Sequence, residues 1–198
     1  MRALFSILLV LLLSHVHAAS ASTWEMDIGH ANIEFRVQHM MISTVKGVFR
    51  KGEATLKLDD QDISKSSVTA TIDVSSLDTN EHDRDEHLLS PDFFDAKRHP
   101  TMTFRSKKVE KFGQGYKVSG DLSIRGITRP VVLEVTSLTE PIVDPWGNRR
   151  RGIVARTTIN RKDFGMVWNK AMDRGGYAVG DEVRILIEAE FVEKKQEK

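Results

Sequence analysis

The chain has 198 residues, 40% of them hydrophobic and 29% charged, with 29 basic side chains against 28 acidic ones. That composition is too apolar for a disordered chain and too evenly charged for a protein held on nucleic acid by phosphate contacts. Cysteine is absent, which excludes disulfides, thiolate metal sites and cysteine nucleophiles.

Met1 and Arg2 form a short positive start, and Ala3 to Leu13 is an apolar run of 11 residues. A helix needs roughly 20 residues to span a bilayer, so the run is far below a full span, and an uncleaved N-terminal anchor is the alternative to a cleaved leader. Small residues follow in Ala18-Ala19-Ser20-Ala21, and residues 1–21 therefore read as a secretory signal peptide cut after Ala18 or Ala21. Cleavage removes Arg2 and no acid, leaving 28 basic and 28 acidic residues on one domain over 22–198. An exported protein without cysteine points to a bacterial periplasm, since small extracellular domains elsewhere usually carry disulfides.

Beyond the leader the chain alternates with period two. Ile33, Phe35, Val37 and His39 fall on one face, against Glu34, Arg36 and Gln38 on the other. The pattern recurs at Ala54-Leu58, Val68-Val74, Met102-Phe104, Val118-Ile124, Val131-Val135, Ile153-Ile159 and Val183-Phe191. Each run is a strand with one buried and one wet face. Turn signals at Lys46-Gly47, Gly113-Gln114-Gly115, Arg125-Gly126 and Gly147-Asn148 separate the runs. One helix interrupts them over Thr79 to Ser90, opened by Asp78 with Glu81 three residues on and stopped by Pro91. Only Leu88 and Leu89 in it are apolar, so it lies across one barrel end with that pair turned inward. With no crossover helices between runs, the expected fold is all-β: an antiparallel, lipocalin-like barrel of about eight strands, capped by one short helix. A barrel of that size holds packed side chains or one small ligand.

Several stretches carry a family resemblance. They are Asp27-Ile-Gly-His30-Ala-Asn-Ile-Glu-Phe35 through His39, Gly47-Val-Phe49, Arg84-Asp85-x-x-Leu88 and Pro91-Asp-Phe93-Phe94-Asp95. Pro100-Thr-Met-Thr-Phe104-x-Ser106, Gly120-Asp-Leu122-x-Ile124-x-Gly126, Arg161-x-Asp163-Phe164-Gly165 and Asp181-Glu-Val183 complete the set. In this order they resemble the YceI-like polyisoprenoid-binding family over essentially the whole mature chain. One departure is Ala31, where many members carry Ser. The resemblance implies a lipocalin-like barrel with a long apolar pore, in exported bacterial proteins that bind isoprenoids or other long amphiphilic lipids. The expected function is therefore non-catalytic binding, sequestration or transport of a long-chain amphiphilic lipid, foremost an isoprenoid such as an isoprenoid quinone or polyprenyl phosphate, with no cofactor. A barrel enzyme acting on an apolar substrate and a stress-related interaction module are the alternatives.

The pore is expected among Phe35, Val37, Phe49, Phe93, Phe94, Phe104 and Leu122. A C40 chain buried at about 25 cal/mol per Å² would gain on the order of 10 kcal/mol before ordering costs, so apolar lining alone can hold it. His30, His39, Arg84 and Asp85 are the polar candidates. His39 and Arg84 either meet a lipid head group at the mouth or pin the helix to the rim, and Arg84 and Asp85, adjacent on a helix, are expected to have different partners. His82, Asp83, Asp85 and His87 are not spaced as a helical zinc site, and no metal is expected. Neither a Gly-x-Ser-x-Gly motif nor a serine with an identifiable base is present. Arg149-Arg150-Arg151 reads as a solvated hairpin tip, or as a transient contact with an anionic membrane surface. Trp168 and Tyr177, flanking Gly175-Gly176, read as a mouth lid or as packing. Edge strands of an incompletely closed barrel would allow a homodimer.

Overall fold

The computed structural model describes residues 21–173 and 175–195. Apart from Ala21, the leader expected over 1–21 lies outside the described residues. The elements are β1 (Ser22–His39), β2 (Ser43–Phe49), β3 (Gly52–Leu58), β4 (Ser67–Asp73), β5 (Leu77–Asp78), α1 (His82–Leu89), β6 (Thr101–Phe112), β7 (Gly115–Ile124), β8 (Ile127–Leu138), β9 (Ile142–Val143), β10 (Arg149–Asn160) and β11 (Val179–Glu193). Eight strands close an antiparallel ring in the order β1-β3-β4-β6-β7-β8-β10-β11, with β11 returning to β1. This is the barrel the alternation predicts. β2 and β5 extend the wall beside β1, and β9 pairs the start of β10.

β1 is long enough to serve both ends of the ring. Its first residues pair β3 from Ser22↔Leu58 to Glu25↔Thr55, and its last pair β2 from Ile33↔Phe49 to His39↔Ser43. A bulge between Asp27 and Ala31 loops Ile28, Gly29 and His30 out of the ladder with β11. β2 was hidden in the sequence by Gly47, which is no turn residue. A Cβ there would sit 2.3 Å from the Phe35 ring, so the glycine is a seat for that ring within a strand. The turn is instead Met40–Ile42, where Met40 and Met41 have φ of 50° and 60°. Gly120 is a second seat, 2.7 Å from the Phe104 ring on the same test. The Arg125-Gly126 turn is as expected, both residues having positive φ.

The helix begins later than its sequence signals suggest. Glu81 is the N-cap, its carboxylate accepting from the Asp83 and Arg84 amides, and α1 runs only from His82 to Leu89. Asp78 caps a turn instead, accepting from the Asn80 amide and from Arg50. Leu88 and Leu89 pack inward against the core, as the polarity of the other six positions requires.

The two barrel ends are built differently. At one, the floor, Trp24 is wholly buried beside Leu58 and Phe191. At the other, the lid, α1 and the segments 91–99 and 161–170 bring Phe93, Phe164, Met166 and Trp168 together over the core.

Candidate functional site

Between floor and lid runs a cavity of about 270 Å³ whose exposed surface is wholly apolar. Its walls are the inward-facing positions of the strands, so the period-two pattern that folds the sheet also makes the lining apolar. Phe35, Val37, Phe49, Phe93, Phe94, Phe104 and Leu122 all line it. Leu56, Ala70, Val118, Ala155 and Ile187 supply smaller surfaces that leave the volume open. The aromatic rings pack on one another near the lid: Phe35 and Phe49 lie 5.8 Å apart by centroid, and Phe49 meets Phe94 edge-on at 5.8 Å. Such pairs are worth about 0.5–1.5 kcal/mol beyond their burial, and they hold the lining in place.

The polar candidates do not converge on the cavity. Arg84 Nε donates to Thr79 Oγ1 at 2.7 Å and Nη2 to the Thr79 carbonyl at 2.8 Å. Asp85 accepts from the Thr79 amide at 3.0 Å and from its hydroxyl at 2.5 Å. The two neighbours thus share one partner instead of having one each. Thr79, 7% exposed, is clasped between them, which ties the helix to the corner after β5. His30 sits on the exposed bulge and pairs with Asp27 at 2.9 Å. His39 ends β1 opposite Ser43 and Val179, half-buried at the lid end.

A buried cation that sequence reasoning did not single out, Arg161, does line the cavity. Only 3% exposed, it donates to the carbonyls of Met166 at 2.6 Å, Trp168 at 2.9 Å and Gly180 at 2.9 Å, with Asp181 at 3.3 Å. Burial pulls the guanidinium below its usual pKa, and Asp181 opposes that shift. Arg161 therefore staples the lid segment after β10 to the start of β11. No periodicity signals this role, because its acceptors are main-chain carbonyls scattered along 166–180. Trp168 is packing, with His87 edge-on at 4.8 Å and Phe93 at 5.3 Å, whereas Tyr177 is exposed.

The arginine run is not a solvated tip. Adjacent strand residues point to opposite faces, so Arg150 turns away from Arg149 and Arg151, which both lie over the Trp24 ring at the floor. Arg150 reaches Asp144 and Asp27 at 2.8 Å and Glu190 at 2.9 Å, while Arg149 pairs Glu193 at 2.6 Å. Arg151, 6% exposed, pairs Asp60 and lies 5.1 Å from the centre of the Trp24 ring. Burial works hardest on Asp144, against ionisation, yet hydrogen bonds from Arg150, Asn148 and Trp146 together hold its carboxyl far below the usual range. Hydrogen bonds from Arg150 and His30 lower Asp27. Around the helix, His82 pairs Glu86 and His87 pairs Asp92. No cluster of three or more His, Asp or Glu suited to a metal occurs among the described residues.

The YceI-like domain model matches residues 24–191. The chain belongs to the YceI-like family. A UPF0312 protein of Photorhabdus laumondii is 38% identical over 186 residues, covering 93% of each chain. Protein YceI of Escherichia coli is 37% identical, covering 84% of this chain and 83% of its own. Among solved structures, Burkholderia cenocepacia BcnA superposes with a TM-score of 0.73 at 25% identity, over 83% of this chain and 98% of its own. A polyisoprenoid binding domain from Saccharophagus degradans superposes with a TM-score of 0.60 at 12% identity, over 86% of this chain and 98% of its own, and so shares the fold. YceI-like proteins thus share this barrel fold.

Proposed function

We infer that the protein binds one long-chain amphiphilic lipid inside the barrel and carries or sequesters it without chemical change. The observation that carries this reading is the apolar cavity that runs between the packed side chains of floor and lid. Such a surface rewards a hydrocarbon chain by about 25 cal/mol for each Å² withdrawn from water. The Saccharophagus degradans domain with the same fold is described as polyisoprenoid-binding, which favours an isoprenoid tail, on a quinone or polyprenyl phosphate, over a straight fatty chain. The polar end of that lipid lies toward the lid, where His39 is the remaining head-group candidate. Arg84, Asp85 and His30 serve the fold through Thr79 and Asp27. The signal-like start and the absence of cysteine support a periplasmic location.

The test is displacement of cis-parinaric acid, a polyene fatty acid that fluoresces in apolar cavities. Polyprenyl phosphate and ubiquinone are expected to displace it at lower concentration than a saturated fatty acid of equal carbon number. Equal potency of all three would overturn the isoprenoid preference, and no parinaric fluorescence at all would overturn the carrier reading.

A further inference from the structure

The barrel wall has a seam that does not close. β8 and β10 are each 12 residues long, yet their ladder runs only from Ile153↔Leu138 to Arg156↔Glu134. Toward the lid, Ile127–Leu133 keeps its pairing with β7, and Thr157–Ile159 keeps its pairing with β11. The edges of β8 and β10 that face one another are unpaired there. A cavity of about 560 Å³ occupies the gap. Its lining includes exposed Val132 and Thr158 together with inward-facing Val131, Thr157 and Ile159, so it reaches into the sheet between the two strands. Val131, Thr157 and Ile159 also line the central apolar cavity, so these three side chains are the partition between the two spaces.

The sequence carries a physical reason for the open seam. The two-residue Arg125-Gly126 turn, with both φ positive, makes Ile124 and Ile127 its hydrogen-bonded closing pair. Bonded and non-bonded pairs then alternate along the hairpin. Ile127, Arg129 and Val131 thus turn their main-chain groups to β7, while Thr128, Pro130 and Val132 turn theirs to β10. Extended past Arg156↔Glu134, the ladder would bring Pro130 opposite Asn160 as a bonded pair. Proline has no N–H to offer and is tolerated in sheets only where that side is unpaired.

We propose that this seam is a lateral portal through which the hydrocarbon chain of the lipid enters and leaves the barrel. The proposal rests on the carrier reading above. Its apolar inner rim of Val131 and Ile159 suits an alkyl or isoprenoid tail. Its outer rim, with Arg129, Asp163 and the Lys107–Asp121 pair at 2.7 Å, keeps the mouth wet.

The cysteine-free chain permits a direct test. Continuing the Arg156↔Glu134 register places Val132 opposite Thr158 across the seam, so in a Val132→Cys, Thr158→Cys variant a disulfide, once formed, ties the seam shut. Stopped-flow uptake of cis-parinaric acid is expected to slow at least tenfold in the oxidised protein and to recover on reduction. Pro130→Val, which restores the missing donor, is expected to slow uptake without any oxidant. Equal uptake rates in oxidised and reduced protein, with Pro130→Val matching the parent, would overturn the portal and leave the carrier intact. Absence of uptake by the parent protein would overturn both.

Discussion

The floor and the lid close the same barrel by opposite means. At the floor, a fully buried indole donates to Ser22 at 2.7 Å and lies under Arg151, while Arg150 joins three acids from two other strands and the β9–β10 turn. Every group there belongs to a strand of the ring or to a turn bonded to one. At the lid, an eight-residue helix with no fully buried side chain and irregular segments rest on the core through Leu88, Phe93 and Trp168. Around that end Met41, Ile42, Val167 and Tyr177 are exposed. A ring end tied by cross-strand ion pairs resists opening, whereas loops held by a few hydrogen bonds belong to the low-stability end of a structure. The proposed portal at the β8–β10 seam lies in the lid half, the less firmly tied of the two.

Breaking the floor should cost most. Trp24→Ala removes the largest fully buried side chain and is expected to destabilise the fold by about 3–5 kcal/mol, read by urea unfolding. Arg150→Met strands Asp144 and Asp27 without their cation and should lower the melting temperature by on the order of 10 °C. The same variant sharpens the pH dependence. Asp144 and Asp27 titrate below their ordinary value of 3.8 in the folded protein, so they bind protons more readily when unfolded. Their contribution is full above that value and is lost as pH falls through the lowered folded one. The parent should therefore lose stability steeply below pH 4, and Arg150→Met should show a shallower loss.

Changes at the lid should cost less. Arg84→Leu removes two hydrogen bonds to Thr79 and is expected to destabilise by about 1–2 kcal/mol while bound lipid is retained, because no part of the arginine lines the cavity. Lipid lost at an unchanged melting temperature would contradict the pinning role. Smallest is His82→Ala, which removes an exposed pair with Glu86 and should change stability by less than about 0.5 kcal/mol.

The wall of the barrel was legible in the sequence and its corners were not. Strand parity put Phe35, Val37, Phe104 and Leu122 on the inward face, because on a one-sided strand inward position and apolarity coincide, whereas Phe49, Phe93 and Phe94 lay outside the alternating runs and entered through the resemblance. β2 escaped because Gly47 looks like a turn until the Phe35 ring it accommodates is in place. The helix start moved by three residues because Asp78 and Glu81 both cap, and Asp78 spends its carboxylate on Asn80 and Arg50. Arg149-Arg150-Arg151 reads as one charged patch only if its alternation is ignored, and its acids come from positions as distant as 27, 60 and 190. Polar roles depend on such long-range partners, which no local pattern encodes.

The most direct test of a lipid-holding interior is native mass spectrometry of the protein purified from a bacterial host beside an Ala155→Phe variant, which fills the cavity from a wall position that is 4% exposed. The parent is expected to carry one stoichiometric long-chain species that organic extraction releases, and the folded variant to carry none. A parent that flies empty, or a variant that keeps the same lipid, would contradict the account.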